Sequence, residues 1–197
     1  MGGSLGQVVI LIVNSLGALL ILAVLLRFLL QAVKADFYNP LSQAIVKITA
    51  KPLAPFRKMI PGYRGFDFAS LVLALVLNSI FTAIMILAAG FNLPNIGIVI
   101  SWGFVGLISF ILNIYYFGLI IQVVASFIAP FSGNPILLMI YQLLDPINSR
   151  VRRVIPAMGG LDLSPLFIFL GIKVLEILLV TPLAQKLSLD VRFVIGI

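Results

Sequence analysis

The sequence predicts an all-α, polytopic membrane protein: four transmembrane helices arranged as two parallel helix–loop–helix repeats, with loop helices lying in the cytoplasmic interface. Three observations predict it. The chain is 62% hydrophobic and 10% charged, with a mean hydropathy of +1.23, too few polar residues to cover a fold in water. Its apolar residues gather at 8–30, 68–89, 96–129 and 163–180, runs near the roughly twenty residues a helix needs to cross a ~30 Å hydrocarbon core. An eleven-residue phrase also occurs twice, 95 residues apart: RKMIPGYRGFD from Arg57 and RRVIPAMGGLD from Arg152.

The first run, 8–30, has no basic flank before it and no small-residue cleavage site after it, so it reads as a permanent span and not a signal peptide. Arg27, one to two turns from its end, is expected to snorkel to the interface. A basic loop, 34–66, follows. Asn39-Pro40 suits an N-cap with proline in the first helical position, opening a short helix. Its Leu41, Ala44, Ile45 and Ile48 share a face while Gln43, Lys47 and Lys51 point elsewhere, the pattern of an interfacial helix. A further helical turn sets Phe56, Met59 and Ile60 against Arg57 and Lys58, and Pro61 stops it. Gly65 allows a sharp turn, and Asp67 can cap the second span, where its charge also faces the positive end of the helix dipole.

The third run is too long for one perpendicular crossing, since about 34 residues would reach roughly 50 Å. Pro94, Gly97, Gly103 and Gly106 cluster at its start, which suggests an interfacial lead-in near 92–100, a crossing from about Trp102 to Ala129, and Trp102 at headgroup level. The second loop, 130–162, repeats the grammar: Asn134-Pro135, a nearly all-apolar ILLMIYQLL, then Val151, Val154 and Ile155 against Arg152 and Arg153. Pro156 stops that helix, Gly159 and Gly160 allow the turn, and Asp162 or Ser164-Pro165 caps the fourth span. Residues 185–197 are expected to lie along the outer surface.

Lys34, Lys47, Lys51, Arg57, Lys58 and Arg64 fall in one long loop, and Arg150, Arg152 and Arg153 in the other. The positive-inside rule makes both loops cytoplasmic and both termini extracytoplasmic, with Lys186 and Arg192 dissenting. The units are then residues 1–95, residues 96–184 and an extracytoplasmic tail, 185–197. At the same offset Arg27 matches Gln122 and Asn78 matches Lys173. Each copy crosses twice, so the copies keep one orientation and an axis along the membrane normal relates them.

The long motif DPINSRVRRVIPAMGGLDLSP after Asn134-Pro135 is similar to the repeat of the YggT family of small bacterial inner-membrane proteins, and two such repeats cover the chain. In the first copy Gly62-Tyr63-Arg64 replaces the usual small and glycine residues, and Ala69-Ser70 replaces Ser-Pro. The resemblance implies a connection with osmotic-stress tolerance and ion homeostasis in bacteria, and, through plastid relatives, with cytochrome haem attachment, thylakoid assembly and nucleoid organisation. It supplies no catalytic residues.

The chain has no His and no Cys, so it cannot build a Ser-His-Asp triad, a thiol nucleophile or an ordinary zinc site. No enzyme activity and no cofactor are expected. For haem only Met and Tyr remain as ligands, so a role in haem attachment would mean holding a partner. No phosphate-loop pattern and no DNA-binding motif are present, which leaves no specific nucleic-acid partner. The basic pairs suit anionic lipid headgroups, at about 1 kcal/mol per charge near the surface, or a membrane-protein partner. Lys173 and Glu176 lie three residues apart near mid-membrane, where charges usually face a bundle interior or an aqueous cavity. They form either a structural lock, with Asn78 as symmetry-related polar partner, or a site for an ion or proton. The leading expectation is a non-enzymatic scaffold or assembly factor for envelope homeostasis under osmotic stress. The alternative is a homo-oligomeric ion channel or transporter lined by Lys173, Glu176 and Asn78.

Overall fold

The computed structural model describes residues 3–128, 132–155 and 162–197. Pro156, Gly159 and Gly160 lie outside them, as does the predicted end of the third crossing at Ala129. Helices account for the architecture: α1 (Ser4–Ala32), α2 (Pro40–Met59), α3 (Phe68–Ala88), α4 (Ile96–Ile128), α5 (Pro135–Val154), α6 (Ser164–Leu175) and α7 (Thr181–Lys186). A π-helical segment, Glu176–Val180, joins α6 to α7, so that Ser164–Lys186 forms the fourth span. The helices α1, α3, α4 and this fourth one are each long and apolar enough to cross a membrane.

Gly6 of α1 packs on the Ala88 carbonyl and Gly17 on the Phe81 ring, so α1 and α3 run antiparallel in close contact. The main core forms there, from Ile21, Val24 and Leu25 of α1, Leu73 and Met85 of α3, and Leu107 of α4. A smaller cluster, Leu119, Ile140, Leu144, Ile168 and Ile172, holds α4, α5 and α6. Leu30, Ala35, Ile45 and Met139 join the loop helices across the repeat boundary. The fourth span is the most peripheral: Ser164, Ile168, Ile172 and Val180 are its buried residues, whereas α4 buries a row from Val99 through Leu107 and Leu119 to Ala125.

Three elements differ from expectation. Each loop holds one continuous 20-residue helix in place of a short helix and a separate turn. Pro52 and Pro55 leave the carbonyls of Ile48 and Lys51 without their helical donors, and both residues lie on the exposed side of α2, where other donors can reach them. The third span is likewise unbroken over 33 residues from Ile96, beginning where Asn95 Oδ1 accepts the Gly97 N–H at 2.8 Å. Its glycines serve close packing: a Cβ at Gly103 would lie 2.6 Å from Ser79 Oγ, and one at Gly106 2.8 Å from Asn78 Nδ2.

The third difference is the segment after α7, which folds inward. Leu187 O accepts the Trp102 indole N–H at 3.1 Å, so Trp102 pins this segment. A short 3-10 turn, Val191–Phe193, follows, and Phe193, Val194 and Ile195 are then buried between α1, α3 and α4. Irregular backbone at this depth needs polar partners from the protein. Asn78 Nδ2 donates to Ile195 O at 3.2 Å and Asn113 Nδ2 to Gly196 O at 3.0 Å. Gly196 has φ +105° and sits against Gly106 O, which a side chain there would strike.

Candidate functional site

The repeated loop folds the same way twice at its ends. Asn39 Oδ1 accepts the Leu41 N–H at 2.9 Å and Asn134 Oδ1 the Ile136 N–H at 2.8 Å, so both Asn-Pro steps are the predicted caps. Arg57 pairs with Asp67 at 2.5 Å, and Arg152 with Asp162 at 2.7 Å. Each pair ties the last turn of a loop helix to the entry of the following span. Between Arg57 and Asp67 the chain doubles back: Tyr63 and Phe66 exchange backbone hydrogen bonds, with Arg64 and Gly65 at positive φ. Gln31 Nε2 holds the Gly65 carbonyl at 3.2 Å.

The first copy is more deeply built. Arg27 does not snorkel. It is 6% exposed, donates to Thr49 Oγ1 at 2.7 Å and Val46 O at 3.0 Å, and stands 4.0 Å from Asp67. Burial alone would raise the Asp67 pKa. Hydrogen bonds from Arg57 and the Ser70 hydroxyl, with the charges of Arg57 and Arg27, outweigh it and hold the carboxyl below its ordinary range. Asp67 takes the N-cap position of α3 but bonds the Ser70 hydroxyl instead of a helix N–H. Asp162 does accept a backbone N–H, that of Ser164, at 2.9 Å. Its pKa is raised by burial and lowered further by Ser164 and Arg152, with a net fall. At the position equivalent to Arg27, Gln122 accepts from Asn148 at 2.9 Å, a neutral amide pair in place of a charge cluster.

Two arginines around one carboxylate leave a positive excess. Lys47, Lys51, Lys58, Arg64 and Pro61 are exposed around the first cluster, and Arg152 and Arg153 on α5. The α2 face that packs inward is Ser42, Ile45, Thr49 and Leu53, while Ala44 and Ile48, expected beside Ile45, are exposed. The two loop helices touch: Asn39 Nδ2 donates to Pro135 O at 2.7 Å, and the Asp36 N–H to Gln142 Oε1 at 3.0 Å.

The intramembrane polar residues are not brought together. Asn78 is fully buried and bonded to Gly103 O and Ile195 O. Lys173 and Glu176 pair at 2.7 Å on the flank of α6, with side chains 51% and 36% exposed. The Lys173 ammonium also lies 5.0 Å from the centre of the Tyr116 ring. Glu176 opens the π-helical segment, whose i→i−5 bond runs from the Thr181 N–H to Glu176 O. Pro182, which lacks an N–H and crowds the preceding turn, accounts for that widened register. Sequence reasoning missed the Arg27 cluster and the docked segment. An arginine inside an apolar run signals the first, and Asn78 and Asn113 facing a mixed tail signal the second.

The family model for CCB3/YggT matches residues 6–88 and 101–183, two segments at the spacing of the repeated phrase. The chain belongs to the CCB3/YggT family. It is 41% identical over 181 residues to an uncharacterized protein PA0392 of Pseudomonas aeruginosa, covering 91% of this chain and 92% of that one. It is 36% identical over 165 residues to an uncharacterized protein of Vibrio alginolyticus, encoded in the proC 3′ region, with coverages of 82% and 88%. Uncharacterized protein YggT of Escherichia coli K12 is 34% identical over 155 residues, covering 79% and 80%. No solved structure matches. Both CCB3/YggT segments contain the Asn-Pro cap and the Arg–Asp clasp, which places those features inside the family repeat.

Proposed function

We propose that this protein is a non-enzymatic scaffold or assembly factor of the bacterial inner membrane, with both basic loops on the cytoplasmic side engaging anionic lipid headgroups and a membrane-protein partner. It would serve envelope homeostasis under osmotic stress. The observation that carries the reading is the fixed, positively charged surface of the loops. Clasps anchor the ends of α2 and α5, and Lys47, Lys51, Lys58, Arg152 and Arg153 stay exposed along them. Fixed cations beside apolar helices favour an anionic leaflet, weakly and by charge. The ion channel or transporter reading rests on Lys173 and Glu176 alone, because Asn78 is engaged elsewhere.

Lipid retention tests the proposal. The detergent-purified protein is expected to keep phosphatidylglycerol in preference to phosphatidylcholine by native mass measurement. R153Q should lower that preference and R153K leave it nearly unchanged, while salt weakens it in all forms. Failure of the lysine variant to match wild type would mean that forked guanidinium contacts to a specific partner matter instead. Ion flux in liposomes above the protein-free background would favour the transport reading.

A further inference from the structure

We propose that the outer face of α6 is a homodimer interface, in which two copies meet about a two-fold axis along the membrane normal and Lys173 of each copy pairs with Glu176 of the other. This does not rest on the headgroup reading of the loops.

Depth and exposure raise the question. Lys173 lies nine residues into the fourth span and Glu176 twelve, about 14 and 18 Å along a helix roughly 34 Å long. Charges at that depth are costly against lipid and are normally covered by protein or water. Here both are half-open on the outside of the chain. Away from the span ends the other charge is Arg27, and it is buried.

The surroundings have the spacing of a helix seam. Leu166, Leu170, Lys173 and Ile177 follow at intervals of four, three and four residues, the a/d pattern of paired helices, and the three apolar members are 64%, 61% and 63% exposed. The repeat gives an independent reason to read this as a docking face. Asn78 occupies the equivalent position on α3, and there the face is covered by α4 through Gly103. On α6 the Tyr116 ring of α4 touches one side of Lys173, and the rest of the face stays exposed.

Charge complementarity selects the occupant. A two-fold along the normal makes the α6 helices parallel and level, so residue 173 of one copy is offset from residue 176 of the other by three residues, about 4.5 Å along the axis, across an interaxial gap of about 8–10 Å that two long side chains span. Each ammonium then lies between two carboxylates, and the four charges sum to zero. The exposed face of α1 offers Asn14 and Ser15 at similar depth but no charge. A head-to-tail contact there would set neither ion against an opposite charge on the neighbouring copy.

The cysteine-free chain makes the test direct. In native membranes, L170C should oxidise to a disulfide dimer, whereas L16C on α1 and F104C on α4, both on exposed faces, should stay monomeric. K173E alone or E176K alone should lose the dimer, because like charges then face each other. Co-expression of a K173E chain with a differently tagged E176K chain should restore co-purification, since opposite charges again meet across the axis. If the single variants fail to accumulate, recovery of both only when expressed together reads the same way. An intrachain lock cannot be rescued in trans. The proposal is overturned if L170C gives no more dimer than L16C, if L170C chains co-expressed with L16C chains form mainly the mixed adduct, if the main L170C adduct is with another protein, or if the mixed charge-variant chains fail to associate.

Discussion

Asp67 governs the first loop because three groups converge on it: the Arg57 guanidinium, the Ser70 hydroxyl and, 4.0 Å away, Arg27. Removing one member of a buried pair leaves an uncompensated charge, at about 3–5 kcal/mol. Arg57 is 43% exposed and can rehydrate, so Asp67→Asn is expected to cost about 3 kcal/mol. Asp162→Asn should cost about 1 kcal/mol or less, because its clasp is 53% and 33% exposed. Denaturation in mild detergent measures both. A folded-state pKa held below the unfolded one means that Asp67 contributes its stability above the ordinary carboxylate range and loses it as pH falls through the folded value. Wild type should therefore weaken on acidification below about pH 4, and D67N should show less of that slope. The repeated spacing of Arg57 and Asp67 is legible in the sequence, but as a headgroup contact and a helix cap, and the clasp appears only once the turn at Tyr63–Phe66 folds the chain back. Arg27 was not legible: distance from a helix end suggested snorkelling, whereas its azimuth toward Thr49 depends on how α2 crosses α1, which periodicity does not report.

Among the elements, the four spans and both caps were readable because bilayer length and Asn-Pro chemistry are local properties. The lead-in to α4 was misread because glycine, a helix weakener in isolation, here lets Ser79, Asn78 and Val194 approach the helix backbone. Such a use shows only once the neighbours are placed. The same holds for the segment 191–197, whose mixed composition suits a surface strand as well as a docked one. Gly106 is the contact that decides it. Gly106→Val should displace the segment, and Asn78→Leu should loosen it by removing the Ile195 hydrogen bond. An I195C variant is expected to resist an impermeant thiol reagent in the wild-type background and to react in both altered ones. V191C, at an exposed position, should react throughout. Equal reactivity of I195C in all three backgrounds would mean that the segment does not dock.

At the scale of the molecule, duplication has produced two halves with one plan and different interiors. The first half holds a buried charge cluster and the larger core; the second holds a neutral amide pair and a peripheral fourth span. The plan was written in the repeated phrase, and the divergence was not, because equivalent positions such as Asn78 and Lys173 meet different neighbours once α4 buries one and touches the other only through the Tyr116 ring. Orientation is a property of the whole chain too, fixed by where the basic residues sum. Two loops rich in Lys and Arg, against a short 89–95 connection with none, predict cytoplasmic loops. The contact of α2 with α5 through Asn39 and Pro135 fits loops that share one side of the membrane, whichever side that is. Single cysteines at Arg64 and Arg150 should then be shielded from an impermeant reagent in intact cells and react after the envelope is opened, while one at Asn92 reacts in both. Labelling of Arg64 but not Arg150 from outside would contradict the parallel repeats themselves, because two copies that each cross twice must return their loops to the same face.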